Sequence, residues 1–467
     1  MLILFTIGVL LYALGVRVAA WFGNAKAKQW VEGRKKQGPL SPEPVEGSKG
    51  LIPRLKTSFR QAQRPKAPEM VPELVEGVEG PTTPTEQWIW FHAASLGEFE
   101  QGRPVIEAIK QRHPQFKVSL TFFSPSGYEI RKNYPLADEV MYLPIDTPRN
   151  AAEWVQRHHF MAAFFIKYEF WFNYMRALDK AGIPLFYISL ILKPDSYFFR
   201  TYGSWFRNQL KTVRHFFVQD ETTAELLKQY GMENVTVCGD TRFDRVATIA
   251  KQARPFPEIE RFIGGRKCII AGSTWPPDEK LLLSFYPQLP DEYCLIIAPH
   301  DISETHVAQI KSMFPESQCY TELDKDLPLR SLSLSKCGAF NEVKRRPSRI
   351  MIINTIGILS QLYQYARFVY IGGGFGVNIH NIQEPVTFGC PVVFGPKYES
   401  FKEAVDLVAL QGAFSVKDAA ELETIFTRLL TDEKFYDSAS ATCLKYLKSQ
   451  LGATEIIVKG FEKALFL

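Results

Sequence analysis

A carboxylate that opens a helix just behind a buried strand is well placed to accept a proton, and FHAASLGE, Phe91 to Glu98, has that form. The apolar strand ends, Ser95 and Gly97 make the turn, and Glu98 falls in the first helical turn. There the helix N-terminus favours the ionised carboxylate that a general base needs. The same spacing suits a capping interaction between Ser95 and Glu98 with no chemistry attached. In GSTWPPDE, Gly272 to Glu279, Ser273 and Thr274 stand with backbone N–H groups at a helix entrance, an arrangement that holds a phosphate or simply caps the helix. APHDISETH ends the next apolar run with Pro299 and His300, and His300 either donates to a phosphate or base or is structural. In NTIG the turn amides of Ile356, Gly357 and Ile358 could meet another anion.

The strongest local pattern is YIGGGFGVNIHNIQEP, Tyr370 to Pro385. Gly373 and Gly374 permit close backbone approach, to a ligand or to other backbone. Asn381 and Glu384 stand three apart on one helical face, flanking Ile382 and Gln383, with Glu384 suited to ribose hydroxyls and Asn381 to a phosphate or sugar. The spacing is neither that of a dinucleotide fingerprint nor that of a P-loop. In GDTRFDR, Arg242 and Arg245 could meet an anionic sugar or lipid phosphate, or pair with Asp240 and Asp244; the pairing is the preferred reading. Lys167 and Glu169, in FIKYEFW, invite the same two readings.

These residues need strand ends to hold them. From Gln87 onward, short apolar runs alternate with longer amphipathic segments, the pattern of a parallel sheet with crossover helices. QWIWFHA, KVSLTFF, VMYLPI, MAAFFIKYE, PLFYIS, HFFVQ and NVTVCGD predict one doubly wound domain. KCIIAGS, YCLIIAPH, IMIINT, FVYIGGG and PVVFGP predict a second. The class is α/β, two Rossmann-like domains facing a cleft, with ligands at the carboxyl ends of the strands. At 467 residues the chain exceeds one ordinary core, and its 46% hydrophobic content fills two. The expected boundaries are 1–37 for an anchor with its basic flank, 38–85 for a low-complexity insertion, 86–253 and 254–467, the last helix being free to pack back on the first domain.

A net charge of +5 is too small for wrapping nucleic acid and compatible with an anionic lipid surface. Seven scattered cysteines without a CxxC pair argue against a metal or disulfide framework, and no metal or cofactor is expected. MLILFTIGVLLYALG carries no charge until Arg17, and Lys26, Lys28, Arg34, Lys35 and Lys36 follow, so a membrane segment with a cytoplasmic body is expected, monotopic insertion or a cleaved signal peptide being the alternatives. Gly38 to Thr85 is rich in Pro, Glu, Gly and Ser, and PEPVEG recurs as PELVEG, as in an inserted repetitive element. Deleting residues 40–80 is expected to leave activity intact; its loss from folded protein would give the segment a role.

In order along the chain, FHAASLGE, FFSPSGYE, YLPID, KYEFW, GDTRFDR, GSTWPPDE, APH, NTIG, GGGFG, HNIQEP and FGP resemble the transferases of 3-deoxy-D-manno-octulosonic acid, or Kdo, and WVEGRK at Trp30 to Lys35 is similar to that family's anchor region. The resemblance implies a GT-B fold, inverting and metal-independent transfer, CMP-Kdo as donor, a lipid A precursor as acceptor, and the cytoplasmic side of a bacterial inner membrane. It matches the family's catalytic glutamate to Glu98. Its CMP-contacting positions fall on Pro299, His300, Ile356, Gly357, Ile358, Asn381, Ile382, Gln383 and Glu384. Some members carry Arg beside the Pro where this chain has His300. Ser273, Thr274, Gly373, Gly374 and Arg242 remain candidate phosphate or sugar contacts. The competing readings are a GT-B enzyme of UDP-sugars, epimerase or lipid-linked GlcNAc transferase, and a non-catalytic nucleotide-binding membrane scaffold.

Overall fold

Runs such as WIWFHA and FMAAFFI are apolar at almost every position, which a strand tolerates when both faces of its sheet are covered. The computed structural model describes residues 1–37, 86–323 and 348–466, and in it these runs are the inner strands of two seven-stranded parallel sheets. The expected insertion at 38–85, and Cys337, lie outside the described residues. Two units are formed, Met1–Val237 with Ala464–Leu467, and Cys238–Lys463.

In the first unit the strands are β1 (Trp88–Ala93), β2 (Lys117–Phe122), β3 (Glu139–Tyr142), β4 (Phe160–Ile166), β5 (Leu185–Leu190), β6 (His215–Val218) and β7 (Val235–Val237), in the order β3-β2-β1-β4-β5-β6-β7. Alternate side chains fill opposite faces. Trp90, Phe165 and Tyr187 enter one core, while Phe91, Phe164 and Phe186 stack across neighbouring strands at 4.6 and 5.2 Å between centroids. Such pairs are the unit of sheet stabilisation.

The second unit contains β8 (Lys267–Thr274), β9 (Tyr293–Pro299), β10 (Gln318–Cys319), β11 (Ile350–Ile352), β12 (Ala366–Ile371), β13 (Val392–Phe394) and β14 (Ala413–Ser415), in the order β10-β11-β9-β8-β12-β13-β14. Ile270 and Ile296 face one core, and Ile269 and Ile297 the other. The helix Thr241–Lys251 falls in this unit, upstream of the expected boundary at 254. Its Asp244 accepts from the amides of Gly452 and Thr454 at 2.7 Å each, and its Phe243 joins the second core.

The amino-terminal residues form α1 (Leu2–Trp21), a single helix that runs through Arg17, and α2 (Ala25–Lys36), whose N-cap Asn24 accepts from Ala27 N at 3.0 Å. By length and composition α1 is sufficient to cross a membrane. Its Phe5 packs edge-on against Phe172 at 4.8 Å, and Thr6 Oγ1 accepts from Asn173 Nδ2 at 3.1 Å. Ile3, Leu4, Ile7, Leu11 and Trp21 stay exposed.

Asp146 is buried against the helix Phe172–Lys180, accepting from the amides of Asn173 and Tyr174 at 3.3 and 3.2 Å. Burial pushes its pKa up to about 7, against the pull of those hydrogen bonds. A carboxyl whose folded pKa exceeds its unfolded value binds more protons folded than unfolded, so its contribution to stability falls as pH rises from about 4 to about 7. Chemical denaturation should therefore show Asp146→Asn gaining stability relative to wild type between about pH 4 and about pH 7; a constant difference would deny the titration. In the second unit a Cβ on Gly374 would lie 2.6 Å from Gly395 Cα and 2.7 Å from Gly395 N. Gly374→Ala is expected to cost about 1–3 kcal/mol, measured as a lower unfolding midpoint, and an unchanged midpoint would mean that the two backbones part freely.

Candidate functional site

In each sheet the strand order reverses next to the first strand, between β1 and β4 and between β8 and β12, and loops leaving such a pair diverge and open a crevice. Glu98 sits at the first of these points. It occupies the first turn of α3 (Leu96–Arg112), directly behind β1. Its carboxylate accepts the Ser95 hydroxyl, and the Ser95 side chain caps no backbone N–H, so the Ser95 half of a capping box is not made. Beside it, at the end of β4, Lys167 adopts a positive φ of 67°, a conformation that side chains other than glycine resist. Glu169 follows: its Oε2 accepts from Trp171 Nε1 at 2.8 Å and lies 3.4 Å from Nε2 of the fully buried His92. His92 and Trp171 are positions that sequence reasoning missed. Both stood inside quoted motifs, and nothing in their spacing announced the contact across 79 residues.

In the second unit the carboxyl ends of β11, β9, β8 and β12 are neighbours in that order, which brings together Ile356 to Ile358, Pro299 and His300, Ser273 and Thr274, and Gly372 to Gly374. Gly357 and Gly373 take φ of 95° and 92°, the left-handed region that glycine adopts without strain. Asp278 joins the strand ends: its carboxylate accepts from Trp275 N at 2.9 Å, Gly373 N at 3.0 Å and Tyr370 Oη at 2.8 Å. Burial raises the Asp278 pKa, and the same hydrogen bonds oppose the rise. The Gly373 amide is thus engaged by protein, and Gly374 packs on Gly395. The glycine run here serves close backbone packing. Thr274 is likewise occupied, its buried hydroxyl donating to Glu279 Oε1 at 3.0 Å, with His306 Nε2 3.0 Å from the other oxygen.

A stack of three rings lies at this edge. Trp275 and His300 are 4.7 Å apart between centroids, His300 and His380 4.5 Å, and Trp275 Nε1 donates to His380 Nε2 at 2.9 Å. Burial, and then the neighbouring His300, hold His380 below the usual histidine value, which keeps that nitrogen free to accept. Trp275 and His380 were not expected at the site; Trp275 directly follows Thr274, and that adjacency was the available signal. Beyond β12, Asn381 Oδ1 accepts from Gln383 N at 2.9 Å and Asn381 Nδ2 reaches Glu384 Oε1 at 3.3 Å. Burial raises the Glu384 pKa against the pull of Asn381 and Arg245. Ile382 points into the core and the Gln383 side-chain amide donates to Glu403 at 3.1 Å. Arg242 binds Asp240 Oδ2 through Nε and Nη2 at 2.9 and 2.6 Å, the pairing preferred from sequence.

Residues 58–245 match the family model described as 3-Deoxy-D-manno-octulosonic-acid transferase (kdotransferase). The chain is 24% identical over 354 residues to the 3-deoxy-D-manno-octulosonic acid transferase of Aquifex aeolicus, covering 74% of this chain and 87% of that protein. It is 24% identical over 363 residues to the enzyme of the same name from Chlamydophila psittaci, covering 76% and 80%. Among solved structures, UDP-GlcNAc 2-epimerase from Neisseria meningitidis superposes with a TM-score of 0.55 at 15% identity, covering 81% of this chain and 100% of that one. The last likeness bears on fold alone, that of two parallel-sheet α/β domains as in GT-B proteins. Over most of its length the chain is thus similar to 3-deoxy-D-manno-octulosonic acid transferases, and it is a glycosyltransferase.

Proposed function

We propose that the chain transfers Kdo from CMP-Kdo to a lipid A precursor, lipid IVA, in the building of the lipopolysaccharide core, at the cytoplasmic face of the bacterial inner membrane. The reading rests on the likeness to Kdo transferases and on one observation above the rest: a carboxylate, Glu98, in the first helical turn behind β1, oriented by Ser95. Glu98 removes the proton from an acceptor hydroxyl, the oxygen forms a bond to the anomeric C2 of Kdo, and the bond from C2 to the donor phosphate breaks with its electron pair leaving on CMP. Attack opposite the departing phosphate inverts the anomeric centre. The backbone turn at Ile356 to Ile358, with Pro299, His300 and the polar group Asn381 and Glu384, is the proposed CMP site. The charge that develops on the leaving phosphate is met by fixed dipoles and N–H groups, which cost no reorganisation during reaction, so the mechanism is written without a metal. The α1 helix and the basic end of α2 support attachment to an anionic membrane surface.

Glu98→Gln is expected to fold and bind CMP while losing transfer by roughly 10²–10⁴; retained turnover removes Glu98 from the mechanism. In the same preparation CMP, and not UDP, should protect the second unit from proteolysis. Protection by UDP alone would turn the reading toward a UDP-sugar enzyme. Mass spectrometry of the product counts the Kdo residues added.

A further inference from the structure

An acylated, phosphorylated glycolipid needs a site that is apolar at one end and cationic at the other, and one face of the first unit has that composition. Trp30, Arg34 and Gln37 lie at i, i+4 and i+7 on α2 and at its end, so they share a helix face. Trp30 Nε1, Arg34 Nε and Nη1, and Gln37 Nε2 are buried and meet no acceptor among the described residues. Other contacts hold the same side chains in place. Arg34 Nη2 donates to Phe123 O at 2.9 Å, the guanidinium lies 3.8 Å over the Trp30 ring, and Gln37 Oε1 accepts from Tyr142 N at 3.0 Å. Burial draws the Arg34 pKa down to about 9, and the groups opposing it are Tyr142, Tyr174 and Tyr12, with no carboxylate among them. A buried cation without an anion is costly, and a bound phosphate would relieve that cost with charge-assisted hydrogen bonds.

Arg34 lines two cavities of about 370 and 470 Å³ that also share Arg17 and Ile145. The smaller cavity is also lined by Glu153, which is paired with Arg149 at 2.7 Å, and the larger by Lys35. Ile145 also lines a third cavity of about 440 Å³, walled by Phe5, Gly8 and Tyr12 of α1 and by Phe123 and Trp171. That cavity reaches Trp171, whose indole bonds His92 on β1, the strand that leads to Glu98.

We propose that this face binds the acceptor: a phosphate of the glycolipid at Trp30, Arg34, Gln37 and Arg17, and one of its acyl chains between α1 and the Phe123 and Trp171 rings. The proposal rests on the transferase reading above, and it makes α1 a wall of the substrate site as well as an anchor. A Cβ on Gly8 meets nothing within 4 Å, so Gly8→Phe fills the groove without displacing backbone. With full-length protein in detergent micelles, Gly8→Phe and Arg34→Gln are expected to raise KM for a tetraacylated bisphosphorylated disaccharide by about tenfold or more, with kcat and CMP affinity held within about twofold. Gly8→Phe should lose its effect on a deacylated acceptor, and Arg34→Gln on a dephosphorylated one. If Arg34→Gln fails to fold, Arg17→Gln, at an exposed position, reads the phosphate arm. An unchanged KM, or variants that weaken only sedimentation with phosphatidylglycerol vesicles, overturns the proposal. Should wild type transfer no Kdo, the transferase reading fails, and binding of a fluorescent form of the same disaccharide to wild type and Gly8→Phe still decides the groove.

Discussion

In a parallel sheet no strand can return by a hairpin; each must hand over to a crossover segment on one face before the next begins. Every pairing among the described strands is of this kind. Both faces are therefore covered, and all loops leaving carboxyl ends gather along one edge of each sheet. Glu98 and Glu169 follow adjacent strands because β1 and β4 pair, Phe91 with Phe164, despite their distance in sequence. In the second unit the same constraint lines up four strand ends, and Asp278 ties two of them by accepting amides from the loops behind β8 and β12. Its burial and its three donors act in opposite directions on its charge, and the donors give the strand ends a fixed separation.

Much of this was legible because strands buried on both faces are continuous apolar runs that no turn interrupts. All seven strands of the first sheet and five of the second lie within such legible runs, although β3 and β7 are mostly half-buried. The exceptions have a physical cause. β10 has two residues and β14 three, and neither sits in a longer apolar run as the three-residue β11 and β13 do within IMIINT and PVVFGP. The break between units falls after Val237 because Asp244 and Phe243 belong to contacts made with residues around 450, which local composition does not reveal.

Site residues divide along the same line. Glu98 was legible because a strand, a small-residue turn and a first-turn carboxylate form a local pattern. The Gly373 amide looked available to a phosphate because its partner, Asp278, lies 95 residues away. Trp275, His300 and His380 come from three separate loops and become one stack only when β8, β9 and β12 are adjacent. For Arg242 the local reading held, since Asp240 is two residues distant.

The docking of α1 has a consequence in time. Its partners Phe172 and Asn173 lie some 167 residues downstream of Phe5 and Thr6. At about 5–20 residues per second, a ribosome takes roughly 8–33 s to cover that distance. Throughout that interval α1 has been made and the surface that receives it has not. Its exposed Ile, Leu and Trp side chains then find lower free energy in a bilayer than in water. The order of synthesis gives the helix the chance to meet lipid before its own protein surface exists.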